Sequence, residues 1–236
     1  MTDSYMSIFK KSFDLFSKNI KTFAVVVAIF FLVMVVLGVL FGVAFSMTQI
    51  DMTMLAQSVN PLGLVGLFVF IVIAFLLTLV YSITIIKTAD ALAHGQKVGA
   101  IEMYKEAKDS FKPFCIVSLL VFSKVILWSL LFIIPGIIFG VLYGFAQFCF
   151  LIDGKKGKEA LVASKMIIKT NLKEFSLKML GLLGVYVLIG MASGFLAMIP
   201  YAGNIILEVV KAALGVYAII FSYYLYQDLK GKTVSE

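Results

Sequence analysis

Six long apolar segments constrain this chain more than any other feature. They cover residues 23–45, 62–86, 114–134, 136–152, 177–199 and 205–226. A helix needs about 20 predominantly apolar residues to cross the hydrocarbon core of a bilayer, and all but one of these segments reach that length. Hydrophobic residues make up 62% of the 236 residues, more than a soluble fold of this size can bury. The sequence predicts an all-α, polytopic membrane bundle with six transmembrane helices, in a single domain covering 1–236.

The fourth segment, 136–152, is the short one. Its 17 residues span about 26 Å as a helix. That length crosses a membrane if the helix stands nearly upright or if the bilayer is locally thin. The alternative is a re-entrant pair that the third and fourth segments form around Pro135.

The lysines predict the orientation of the bundle. Of the 20 basic residues, all lysines, 18 lie in the N-terminal segment, in 87–113, in 153–178 or in the C-terminal tail. The connections 46–61, 135 and 200–204 contain no lysine. Because positive charge is retained on the cytoplasmic side, we expect both termini in the cytoplasm.

A short pattern recurs three times, in each case before an odd-numbered apolar segment. It consists of a small polar residue, an apolar residue, lysine, a variable residue and phenylalanine. The residues that define it are Asn19, Lys21 and Phe23, then Ser110, Lys112 and Phe114, and finally Asn171, Lys173 and Phe175. An amphipathic stretch precedes each copy, which is typical of helices that lie in the plane of a membrane surface.

The paired apolar segments also match one another. Each pair has a proline at its turn and an aspartate near its end; these are Pro61, Pro135 and Pro200, and Asp90, Asp153 and Asp228. The sequence therefore predicts three hairpin repeats, at about 1–90, 98–153 and 158–228, each opened by an interfacial amphipathic helix. In these membrane-interface motifs we expect the phenylalanine at the headgroup boundary and the lysine directed towards lipid phosphate.

Three charges fall inside the apolar segments: Lys124, Glu208 and Lys211. Counted from the predicted outer turns, both lysines lie about 16 Å deep, near the midplane of the bilayer. Glu208 precedes Lys211 by three residues, so the two share one helical face. We expect a buried cluster between the third and sixth helices. It would serve either as a path for an ion, a proton or an anionic lipid, or as a structural ion pair.

Glycines four residues apart, at Gly136, Gly140 and Gly144 and in two other segments, indicate close helix packing within the bundle or self-association.

No catalytic motif, metal-binding cluster or cofactor-binding loop is apparent, so we expect no enzymatic activity, no metal and no cofactor. The lone His94 lies in a predicted loop. The lysines are concentrated at the membrane surface, so no nucleic-acid partner is expected.

The region from Ile133 to Asn171 resembles a known family pattern. Ile133-Ile134-Pro135-Gly136-Ile137 is followed by Asp153-Gly154-Lys155, then by Ala160-Leu161-x-x-Ser164, and then by Asn171. This series is similar to the membrane domain of some glycerophosphodiester phosphodiesterases and to the YciC-like uncharacterised six-span families. The resemblance implies the six-span topology and, because the pattern is bacterial and archaeal, a place in the cytoplasmic membrane of a prokaryotic cell. In those enzymes the catalytic residues lie in a separate soluble barrel, so the resemblance assigns no catalytic residue here.

The leading functional hypothesis is a non-enzymatic membrane scaffold or lipid-interacting module. Its partners would be anionic lipids of the inner leaflet, and also a protein partner or a second copy of the chain. The alternative is a small transporter or channel that uses Lys124, Glu208 and Lys211.

Overall fold

The computed structural model describes residues 5–47, 61–196 and 202–235. The predicted turn residue Pro200 lies outside the described residues. Within these ranges the chain forms nine α-helices and no strand: α1 (Tyr5–Lys18), α2 (Ile20–Met47), α3 (Pro61–Ala93), α4 (Ala100–Leu131), α5 (Ile133–Leu142), α6 (Ala146–Leu151), α7 (Lys158–Thr170), α8 (Leu172–Leu196) and α9 (Ala202–Ser235).

The predicted all-α bundle is confirmed. Six of the described stretches are long and apolar enough to cross a membrane, and they lie in α2, α3, α4, α5 with α6, α8 and α9. Between the third and fourth of these spans, the chain turns back at Phe132, which separates α4 from α5. Within these stretches most side chains are apolar, as expected where lipid surrounds a helix.

The protein core occupies one end of the bundle. Among the described residues, the buried hydrophobic side chains fall within 8–26, 79–117, 145–182 and 216–229. Large apolar side chains in 31–43, 64–75, 119–141 and 183–209 are exposed instead. The end with the core also carries α1, the start of α4, α7 and the end of α9, and hence most of the lysines. We call it the lysine-rich side.

The last half of α9 is the centre of this core. Val216, Ile220, Phe221, Leu225 and Leu229 are all buried there. Helices α1, α3, α7 and α8 contact α9. Four neighbouring helices therefore converge on one C-terminal helix at the lysine-rich side, although α9 comes last in the chain.

The hairpin of α4 and α5 is closed by a very close contact. A Cβ atom added to Gly136 would lie 1.9 Å from the Ser129 Oγ and 2.8 Å from the Ser129 Cα. One turn further along, Trp128 and Phe139 stack with ring centroids 4.7 Å apart. Gly136 thus packs within the bundle, as glycine in a membrane helix commonly does. A Cβ at Gly38 or Gly42 would meet nothing within 4 Å.

The fourth span is not one continuous helix. It is divided into α5 and α6 at 143–145. The ten residues of α5 rise about 15 Å, roughly half the thickness of the hydrocarbon core. The fourth stretch, Ile133–Leu151, is 19 residues long and contains a break that the sequence did not reveal.

Candidate functional site

The Ser164 side chain stabilises the break in the fourth span. Its Oγ donates a hydrogen bond to the Leu142 carbonyl at 2.9 Å and accepts one from the Phe145 N–H at 3.0 Å. Ser164 is fully buried and belongs to α7. A broken helix leaves backbone groups that must be satisfied within the protein, since lipid offers them no partner. The Ala-Leu-x-x-Ser pattern therefore joins α7 to the fourth span.

The three phenylalanines of the membrane-interface motifs lie in the protein core. Phe23, Phe114 and Phe175 are all buried against protein, and their place at the headgroup boundary stays a prediction. Phe175, for example, packs edge-on against Phe145 with centroids 5.4 Å apart. The three lysines of the motifs are exposed, as expected; they are Lys21, Lys112 and Lys173. The motif thus directs one aromatic ring inwards and one charge outwards.

Two of the motifs have the same local geometry at their polar residue. The Asn19 Nδ2 donates to the Leu15 carbonyl at 2.9 Å, and the Asn171 Nδ2 donates to the Ile167 carbonyl at 3.0 Å. In each case the asparagine follows a short amphipathic helix and precedes a span. Asn171 also donates to Thr233 Oγ1 at 3.0 Å and thereby contacts the end of α9.

The second motif differs from the other two. Ser110 and Pro113 lie inside α4, which runs without interruption through both the amphipathic stretch and the span. The separate interfacial helix expected here is therefore the first part of α4. Proline lacks the N–H that a helix interior uses, but α4 continues through it.

The predicted cluster of intramembrane charges forms only in part. Lys211 pairs with Glu208 at 2.8 Å, and their side chains remain 66% and 53% exposed. Lys124 is exposed on α4 and makes no ion pair or hydrogen bond within the described residues. The expectation of one buried cluster of three charges is therefore wrong. Glu208 and Lys211 are three residues apart on one helix and pair locally, whereas Lys124 stays apart from them.

A buried ionic network lies instead at the lysine-rich end of α8 and α9. The Lys178 Nζ lies 2.7 Å from the Asp228 Oδ2, and it also pairs with Glu174 one turn earlier. Lys232 pairs with the same two acids. Only 4% of the Lys178 side chain and 7% of the Asp228 side chain are exposed. The two acids and two lysines balance each other in charge, which is what burial of charged groups requires.

The other two predicted exit aspartates are also bound to α9. The Tyr226 hydroxyl donates to the Asp153 Oδ2 at 2.6 Å, and Lys230 pairs with the same carboxylate. The Tyr223 hydroxyl donates to the Asp90 Oδ1 at 2.9 Å. The last residues of the second, fourth and sixth spans are thus held together through side chains of one helix.

The sequence shows these aspartates as a recurring feature but does not indicate which side chains bind them. The available signal was the four-residue spacing of Glu174 with Lys178 and of Asp228 with Lys232, which places opposite charges on one helical face. Nothing in the sequence indicates that these two faces meet.

The surface of α1 is divided into three faces. Ile8 and Leu15 are buried against the protein. Met6 and Phe13 are 74% and 60% exposed, and their seven-residue spacing puts them on one side of the helix. Lys18 is exposed and lies on the remaining arc of the helix. A buried face, an exposed apolar face and a cationic face therefore follow one another around α1.

A comparable arrangement recurs in α7. Ile168 is buried, whereas Val162 and Met166 are 66% and 63% exposed. Lys165 and Lys169 are exposed beside that apolar pair. Exposed apolar side chains next to lysines are the features of helices that lie at a membrane surface.

Comparisons with family models, with curated proteins and with solved structures find no match for this chain. Among the described residues, no group of three or more His, Cys, Asp or Glu side chains is placed to hold a metal ion. The functional proposal for this chain therefore rests on the helix faces and ion pairs described above.

Proposed function

We propose that this protein is a non-enzymatic, lipid-interacting membrane module whose lysine-rich side binds anionic lipids of the inner leaflet of a prokaryotic cell membrane. Both termini then lie in the cytoplasm. The observation that supports this proposal best is the division of α1 and α7 into protein-facing, apolar and cationic faces. A helix in water gains nothing from an exposed second apolar face, but a helix at the membrane surface can bury that face among acyl chains.

The start of α4 presents charges of both signs, because Glu102, Glu106 and Asp109 are exposed beside its three exposed lysines. Lys105, Lys108 and Lys112 follow one another at three- and four-residue spacing, so they line one side of the helix. Each lysine near an anionic membrane surface contributes about 1 kcal/mol of attraction. Asp153 pairs with Lys230, and Asp228 pairs with Lys178 and Lys232, so these acids offset the charge of buried or half-buried lysines and leave the exposed lysines to face the lipid.

The repeated features support a further part of the proposal, namely that the chain consists of three related hairpin units. Asn19 and Asn171 make the same bond to the preceding turn, and the three motif phenylalanines are all buried. We propose that these units present lysine-bearing, surface-lying helices at the lysine-rich side, and that a protein partner also binds there.

Lipid that remains with the purified protein tests the proposal. The protein is extracted from vesicles of equal parts phosphatidylglycerol and phosphatidylcholine, and the bound lipids are quantified by mass spectrometry. We expect enrichment of phosphatidylglycerol that falls at high salt. A variant with Lys158, Lys165 and Lys169 changed to Gln should lose much of it, whereas the control Lys124→Gln should keep it. Equal binding of both lipids by the natural sequence would refute the proposal.

The alternative function, transport, is favoured by one observation, the Glu208–Lys211 pair within the sixth span. Charges inside a membrane span commonly mark ion or proton pathways. Liposome flux, measured over a panel of ions and lipids, distinguishes the two functions. Flux that Glu208→Gln abolishes would favour transport, and no flux above that of empty liposomes would favour the lipid-interacting module.

A further inference from the structure

A large apolar groove separates α2 from α9. Its volume is about 660 Å³, within the range of about 300–1,000 Å³ that is typical of ligand sites. Small side chains on both walls leave this room: Ala24 and Ala28 on α2, and Ala212 and Ala213 on α9. The groove opens sideways between two spans, so its occupant must come from the membrane.

The length of the groove matches one leaflet of a bilayer. Its α2 wall runs from Ile20 to Phe31, twelve residues, which rise about 16 Å along the helix. Half the hydrocarbon thickness is about 15 Å. The groove starts beside Phe16 of α1, at the lysine-rich side, and ends at Glu208. It therefore extends from the membrane surface to about the midplane.

An exposed lysine, Lys21, follows Ile20, the first residue of the α2 wall. Lys21 precedes Ala24 and Ala28 by three and seven residues, so all three lie on the same side of α2. The opposite end is marked by Glu208, whose carboxylate pairs with Lys211. A ligand with an anionic head and one apolar chain fits a cation followed by an apolar wall, and the chain would end before the Glu208–Lys211 pair.

We propose that the groove between α2 and α9 binds one anionic glycerophospholipid of the inner leaflet, with a chain along the alanines and the phosphate at Lys21. This inference rests on the proposed function, because it gives the general attraction for anionic lipid one defined site. The polybasic surface alone would attract such lipids without selecting where a chain lies.

A single tryptophan in the groove provides the test. Phe31→Trp is made in a Trp128→Phe background and reconstituted in vesicles that contain brominated phosphatidylglycerol or brominated phosphatidylcholine, since bromine quenches a nearby indole. The control reporter, Leu40→Trp, lies on the same helix, is exposed, and does not line the groove. Size-exclusion profiles identical to that of the natural sequence establish that each reporter variant is folded.

We expect phosphatidylglycerol to be favoured over phosphatidylcholine about fivefold at position 31, the effect of one lysine near the headgroups, with no preference at position 40. Lys21→Gln should remove that preference, and Ala28→Leu, which fills the groove, should reduce quenching by both lipids. No preference at position 31, while the purified protein still enriches phosphatidylglycerol, would overturn this site and leave the proposed function intact. A reporter at position 31 that neither lipid quenches would show that protein, such as a second copy, fills the groove, and would also overturn the inference.

Discussion

Replacement of Lys178 by Met should destabilise the protein more than any other single loss of a lysine charge. The Lys178 side chain is 4% exposed and binds the Asp228 carboxylate, itself 7% exposed, at 2.7 Å. Removal of one partner from a buried ion pair costs about 3–5 kcal/mol, because the other charge is left uncompensated. Asp228 keeps Lys232 at 3.1 Å, so we expect the lower end, about 3 kcal/mol.

That loss should lower the midpoint of thermal unfolding by about 6–12 °C, since 1 kcal/mol corresponds to about 2–4 °C for a chain of this size. The assay is thermal unfolding of the detergent-solubilised protein, followed by Trp128 fluorescence. Lys173→Met is the matched control: it removes the same charge less than two turns away at an exposed position, where substitutions usually change stability by about 0.5 kcal/mol or less.

A second variant separates the ion pair from simple loss of packing. Asp228→Asn in the Lys178→Met background restores the charge balance, so the double variant should be more stable than the sum of the two single effects predicts. Equal midpoints for Lys178→Met and Lys173→Met would refute the reasoning. Strict additivity in the double variant would do so as well.

Three further substitutions test the packing. Gly136→Ala should lower the free energy of unfolding by about 1–3 kcal/mol, because its methyl group would overlap the facing helix α4. The control Gly38→Ala should leave stability almost unchanged. Equal thermal midpoints for the two variants would contradict the contact. Ser164→Ala should lower the free energy of unfolding by about 1–3 kcal/mol, since two backbone groups at the break in the fourth span lose their partner. Ser123→Ala, at an exposed position, is its control. Tyr226→Phe should cost about 1.5–3 kcal/mol, the contribution of a hydrogen bond to a charged group, and an unchanged midpoint would show that this hydroxyl does not stabilise the helix ends.

The spans could be predicted from the sequence because a bilayer demands about 20 apolar residues from each of them. The break at 143–145 could not be, since the residues on both sides are as apolar as an unbroken helix would require. What makes the break possible is Ser164, which lies about 20 residues further along the chain. A pattern that is read locally does not reveal such a distant partner.

The arrangement of the charges, likewise, could be predicted from the sequence only in part. The sequence located Glu208 and Lys211 on one helical face, and the structure confirms that they pair. The sequence could not predict that Lys124 lies apart from Glu208 and Lys211, because the distance between α4 and α9 depends on how the whole bundle packs. For the same reason the network around Lys178 was missed: its members come from two helices whose facing sides only the tertiary structure defines.

The accessibility of nitroxide spin labels on α1 and α7 tests the central claim most directly. Labels are attached at cysteines that replace Phe13 and Met166 on the apolar faces, and Lys18 and Lys165 on the cationic faces, in protein reconstituted with anionic lipid. Oxygen, which concentrates in the acyl chains, should relax the labels at 13 and 166 most strongly, and a water-soluble nickel complex should relax those at 18 and 165. If the nickel complex reaches all four labels equally, α1 and α7 do not lie in the membrane surface and the account is contradicted.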